Sequence, residues 1–176
     1  RYAEAARHFR RAAGDNSVAG ATALLAAAVM HLWAGLPDEA RGDLDALEAL
    51  HLHMPGLMAG RDAILAGLAG AAGQRSAAIA GFASAHRRLV DLPLPEDAAR
   101  VALTAGILLG TGDPEIAAMV RAARSFYHKV RAAALLPVCD RLLATDAVRP
   151  SGDEAASPLT GHADQAGRPM ADALDA

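Results

Sequence analysis

Few side chains in this sequence stand at spacings that chemistry requires. His51 and His53, followed by Met54, place two imidazoles one residue apart. A soft metal accepts such ligands, but a site needs a third donor and none accompanies them. They read as solvated loop histidines. Cys139, the single cysteine, falls on an apolar stripe with Leu135 and Leu142. A thiol becomes a nucleophile beside a base or a positive charge, and no adjacent base is visible, so Cys139 reads as a small buried hydrophobe. Gly110-Thr-Gly112 lacks the third glycine of a dinucleotide loop and follows a helical pattern rather than a strand. No Gly-Lys-Ser or Gly-Lys-Thr exists for a phosphate loop. Asp38-Glu39 and Glu96-Asp97 stand where first helical turns favour acids. Arg7, Arg10, Arg11 and the Arg87-Arg88 pair read as solvated faces. The sequence therefore assigns no catalytic residue, no metal and no cofactor.

The elements that position these residues are organised by a repeated turn. Gly35-Leu-Pro-Asp-Glu-Ala40 returns as Gly73-Gln-Arg-Ser-Ala-Ala78 and as Gly112-Asp-Pro-Glu-Ile-Ala117, at spacings of 38 and 39 residues. A glycine closes one helical pattern, and an alanine five residues later lies in the first turn of the next. Helix-turn-helix units at a period of about 30–45 residues are the signature of a helical array, in which stability comes from stacking. Helices are predicted over about 2–13, 17–34, 37–50, 56–72, 75–91, 96–110, 114–129 and 132–145. Apolar stripes run through Ala5-Phe9-Ala12, Ala40-Leu44-Leu47 and Ala78-Phe82-Ala85. Gly60, Gly67, Gly70 and Gly73 interrupt the fourth helix, each interior one costing about 1 kcal/mol against alanine unless a neighbouring helix approaches closely.

The expected fold is all-α: a right-handed α-solenoid of about seven to eight antiparallel helices over residues 1–146. Beyond Asp146, prolines, glycines and serines break every period, so 147–176 is expected to be mostly disordered, with a marginal helix at Pro169–Ala176. Arg1 opens the chain inside a helical pattern, and the chain reads as a fragment of something longer.

Composition narrows the classes. Of 176 residues, 53% are hydrophobic and only 3% aromatic, with alanine supplying about half of the apolar set. The net charge of −3 comes from 17 basic and 20 acidic residues, a balance that gives no electrostatic reason to expect nucleic acid or an anionic membrane as partner. A single cysteine permits no internal disulfide and fits a reducing, cytoplasmic setting. The longest apolar run, Val18 to Met30, is too short to span a bilayer.

The repeats resemble tetratricopeptide repeats, whose second helix carries alanine, an aromatic four residues on, and alanine three after that. Ala5-Phe9-Ala12 and Ala78-Phe82-Ala85 match fully and Ala40-Leu44-Leu47 loosely, while the unit at Ala117 has Arg121 and Arg124 at those places. The first-helix Trp and Gly-Tyr positions are not kept, and the units are longer than the family's usual 34 residues. Residues 92–103, 108–115, 122–126 and 135–143 are further similar to the closing repeats of large bacterial AAA-type signalling ATPases. Those proteins are linked to adenylate/guanylate cyclase domains or to LuxR-type DNA-binding domains. This resemblance covers about residues 17–145, and 147–176 shows no helix-turn-helix pattern of the LuxR kind.

The resemblance implies a concave groove lined by the first helix of each unit. Transferring the register places groove positions at Thr22, Leu25, Val29, Leu32 and Trp33, and in the next unit at Gly60, Ala63, Gly67, Gly70 and Ala71. These are small or apolar, with no Lys/Arg/Asn clamp for a peptide carboxylate. The groove either accepts an apolar helix or is filled by tight packing. The expected function is a non-catalytic interaction scaffold, whose partner is a protein or peptide that includes upstream domains of the same polypeptide among the candidates. A stand-alone adaptor is the second reading. A third, an enzyme on a helical toroid, lacks the convergent His/Asp/Glu set it would need.

Overall fold

The computed structural model describes residues 1–13 and 17–147, and every regular element among them is helical. In order these are α1 (Tyr2–Ala12), α2 (Val18–Trp33), α3 (Pro37–Glu48), α4 (Pro55–Ala71), α5 (Arg75–Asp91), α6 (Pro95–Leu109), α7 (Pro114–Lys129) and α8 (Leu136–Ala147). The expectation for 147–176 falls almost wholly outside the described residues. No helix among the described residues is long and apolar enough to cross a membrane.

Local chemistry sets the ends. Prolines open α3, α4, α6 and α7, where the missing N–H has no intrahelical partner to lose. Ser17 caps α2 by accepting from the Gly20 N–H at 3.0 Å, and Asp113 caps α7 through the N–H groups of Glu115 and Ile116. Gly35 and Gly73 end their helices at φ 73° and 77°. The third stop differs from expectation: Gly110, at φ 71°, ends α6, and Gly112 lies beyond it in the turn. The last helix also begins later than the predicted 132. Residues 130–135 are taken up by turns around Arg131 at φ 57°, with the Ala132 N–H bonded to the Tyr127 carbonyl at 2.9 Å.

Two kinds of helix alternate. α2, α4 and α6 touch one another, while α3, α5 and α7 each pack against the helix before and the helix after. α2 reaches α6 across α4, where the Trp33 indole N–H donates to Thr104 Oγ1 at 3.3 Å. Small residues make this closeness feasible. A Cβ on Gly60 would stand 2.8 Å from Leu25 Cδ1, and one on Gly67 2.6 Å from Leu32 Cδ1. Leu25 and Leu32 thus lie over glycines, and the propensity cost in α4 is offset by helix approach.

The core follows the expected stripes in the middle of the chain. Ala40, Leu44 and Leu47 are buried, and Ala78, Phe82 and Ala85 are all 0% exposed. In α7 the stripe starts one residue earlier than expected. Ile116, Val120 and Ala123 are buried while Arg121 and Arg124 are exposed. The buried triads begin at Ala40, Ala78 and Ile116, an even spacing of 38 residues. The third turn is one residue longer from stop glycine to stripe, which displaced the Ala117 register. In α1 the Ala5-Phe9-Ala12 stripe is not core: Ala6 is 0% exposed, whereas Phe9 is 41% exposed and Ala12 is exposed.

Candidate functional site: a groove between α2, α4 and α6

Between them α2, α4 and α6 leave a cavity of about 180 Å³. From α2 it is lined by Thr22, Leu25 and Val29, at helical spacing on one face. From α4 come Gly60, Ala63 and Ile64, and from α6 Asp97, Arg100, Val101 and Thr104. Val18 and Met54 stand at the mouth and are each 46% exposed.

The wall is chemically apolar because its hydroxyls are already engaged. Thr22 Oγ1 donates to the Val18 carbonyl at 2.9 Å. Thr104 Oγ1 donates to the Arg100 carbonyl at 2.9 Å and accepts from Trp33. Asp97 and Arg100 are half-exposed and ion-paired with each other one turn apart. They are the charged groups of the lining. Such an arrangement offers apolar contact with one dipolar edge, the form of a site that holds a large hydrophobic side chain.

The predicted groove residues divide into two sets. Thr22, Leu25, Val29, Gly60 and Ala63 line the cavity. Leu32, Trp33, Gly67, Gly70 and Ala71 do not. Leu32 occupies the space over Gly67. Trp33 is tied to Thr104 and meets the Tyr2 ring edge-on, with centroids 5.4 Å apart at 80°. Gly70 faces Leu109 and Ala78 instead. The groove is therefore open along one half of the inner helices and filled along the other. The α6 contribution was missed in the sequence. It was signalled there, since the spacing from Leu25 to Ala63 carries on to Val101.

Other candidates resolve differently. His51 and His53 do share a second concavity, of about 270 Å³, with Glu48, Leu52 and Arg61. Arg61 Nε holds Glu48 Oε1 at 2.7 Å, and His51 adopts φ 50° in the connecting loop. No group of three His, Cys, Asp or Glu able to hold a metal occurs among the described residues. Cys139 is 0% exposed, and burial, with Asp140 beside it, pushes its thiol pKa up. The arginines are less idle than expected. Arg87 pairs with Glu115 at 3.0 Å, Arg88 with Asp62, and Arg10 with Asp43 at 3.2 Å.

Asp43 and His31 belong to no sequence expectation. Asp43 on α3 is 0% exposed, and its Oδ2 lies 2.6 Å from Nδ1 of His31 on α2, itself 5% exposed. With Arg10 from α1, one carboxylate joins three helices. The signal was hidden because Asp43 falls inside a stripe that reads as leucine and alanine. No protein-family model, curated protein or solved structure matches this chain.

Proposed function

We propose that this chain is a non-catalytic protein-interaction module whose groove seats one bulky apolar side chain of a partner helix or peptide. The observation behind this reading is the open half-groove. Its wall is apolar, its mouth exposes Val18 and Met54, and its volume of about 180 Å³ suits one leucine or aromatic side chain. Full burial of such a side chain contributes about 1.5–3 kcal/mol, the scale of an anchor contact. The Asp97–Arg100 pair at the edge orients a polar group flanking the anchor.

The wider reading is a right-handed, tetratricopeptide-like α-solenoid, supported by alternating inner and outer helices and the even spacing of the buried triads. From the resemblance over residues 17–145 we place it as a cytoplasmic C-terminal repeat segment of a larger bacterial signalling ATPase, of the cyclase-linked kind rather than the LuxR kind. Neither nucleic acid nor a membrane is assigned as its partner. The alternative is a stand-alone adaptor using the same groove.

A set of labelled amphipathic helical peptides, identical except for Ala, Leu, Phe or Trp at one anchor position, tests the groove by fluorescence polarisation. Affinity is expected to rise at least tenfold from Ala to the best anchor and to vanish in Ala63→Phe, with helicity unchanged. Equal weak binding of all four peptides would refute the anchor reading. An immunoblot of source cells separates the parents: a band near 18.0 kDa marks an adaptor, and one several times larger a segment of a longer protein.

A further inference from the structure

The groove between α2, α4 and α6 concentrates its free polarity in one ion pair. Asp97 and Arg100 are the charged residues of its lining, one of each sign. The hydroxyls of Thr22 and Thr104 are engaged by the carbonyls of Val18 and Arg100, so a ligand finds no free donor there. The pair differs. Asp97 stands in the first turn of α6, Arg100 lies three residues on, and Nη2 of Arg100 donates to Oδ1 of Asp97. That contact uses one atom of each group. Nε and Nη1 of Arg100 and Oδ2 of Asp97 have no protein partner among the described residues, and the Arg100 and Asp97 side chains are 35% and 37% exposed. Donors and an acceptor thus lie side by side at the edge of an apolar wall.

We propose that this edge selects a primary carboxamide, so that the partner helix carries glutamine one turn from its apolar anchor; the inference rests on the anchor reading above. An amide presents an acceptor and a donor together. Its oxygen accepts from Arg100 and its NH2 donates to Asp97, and both bonds are charge-assisted. A partner carboxylate would gain from Arg100 but face the Asp97 carboxylate, and an ammonium would meet the reverse. Neither gains a net field from a pair whose charges cancel, and each gives up hydration against the apolar wall. The spacing follows from α6. Val101, in the wall, stands four residues from Asp97, about 6 Å along the helix axis. Residues three or four apart on a partner helix laid along α6 cover the same distance.

The test uses the full chain and labelled helical peptides with leucine at the anchor and Gln, Glu, Lys or Leu one turn before or after it. By fluorescence polarisation the Gln peptide is expected to bind about fivefold more tightly than the Glu or Lys peptide, the scale of one net hydrogen bond. Two substitutions should redirect that preference. Asp97→Asn leaves the guanidinium unopposed and favours Glu, whereas Arg100→Gln leaves the carboxylate unopposed and favours Lys. Circular dichroism checks that each variant keeps its helicity, and the order of the four peptides on the unaltered chain decides even if one variant does not fold. An unaltered chain that prefers Glu, Lys or Leu to Gln, or folded variants that keep the original order, overturns the proposal. Failure of the anchor reading looks different: replacing the leucine anchor by alanine then changes no affinity, whichever residue flanks it, and both ideas fall together. Anchor-dependent binding without a preference for Gln overturns the carboxamide alone.

Discussion

Replacing Asp43 with alanine tests the least expected feature of the fold. Its carboxylate is fully buried and binds His31 Nδ1 at 2.6 Å, while Arg10 approaches the other oxygen at 3.2 Å. The Arg10 side chain is 49% exposed, so its share of the interaction is that of a surface pair, about 0–1 kcal/mol. The His31 leg is different. Removing the carboxylate strands a buried imidazole between α2 and α3, and leaving a buried polar group without its partner costs about 1–3 kcal/mol. That is a sizeable fraction of the roughly 5–15 kcal/mol available to a domain. Asp43→Asn keeps the shape and one hydrogen bond and should cost less, about 0.5–1.5 kcal/mol. The double variant His31→Leu/Asp43→Val replaces the pair by apolar groups of related size and should recover most of the loss. Urea unfolding followed by far-UV circular dichroism reads each cost as a midpoint shift at constant slope. An Asp43→Ala loss below about 1 kcal/mol, or a double variant as weak as the single, would refute the idea that this pair is a buried, mutually dependent contact.

Three further outcomes are expected. Phe82→Ala, at a ring 0% exposed on α5, should cost about 3–5 kcal/mol, and a loss near zero in urea titrations would show that this stripe is not core. Burial, then Arg87, holds the His86 pKa below its ordinary value. The unfolded chain therefore binds the proton first, so this contribution to stability is full above about pH 6.5 and declines as pH falls towards the lowered folded value. His86→Gln should flatten that part of the stability–pH curve, and an unchanged slope would count against it. Cys139 should react with iodoacetamide at pH 7.5 at least tenfold more slowly than free cysteine, and only full-speed labelling of the native chain would contradict its burial and raised pKa.

What the sequence disclosed follows from which interactions have a local signature. Prolines at the first helical turn and glycines at positive φ act through the backbone of a few residues, so α3, α4, α5, α6 and α7 were placed to within a residue or two at their starts. Alanine and leucine stripes disclosed the core of α3 and α5 because burial there repeats every three or four residues. The groove was half legible for the same reason. Thr22, Leu25, Val29, Gly60 and Ala63 sit in register, but whether a groove stays open depends on how far opposing helices approach. That distance is set by pairs such as Leu32 over Gly67, remote in sequence and visible only as volumes that fit.

The errors have one physical origin. Gly112 and Ala117 satisfied the five-residue spacing of the earlier turns, yet Gly110 took the positive φ and Ile116 the buried place. A turn can lengthen by one residue at small entropic cost, whereas a buried stripe cannot slip by one residue without turning Arg121 and Arg124 towards Leu142 and its neighbours. The packing therefore kept its 38-residue spacing and the turn absorbed the difference. The same logic explains α1. Ala5-Phe9-Ala12 has the composition of a buried stripe, but a stripe becomes core only when a helix lies on it. Ala6, one residue on, is buried because it faces α2. Phe9, three residues further along, remains 41% exposed.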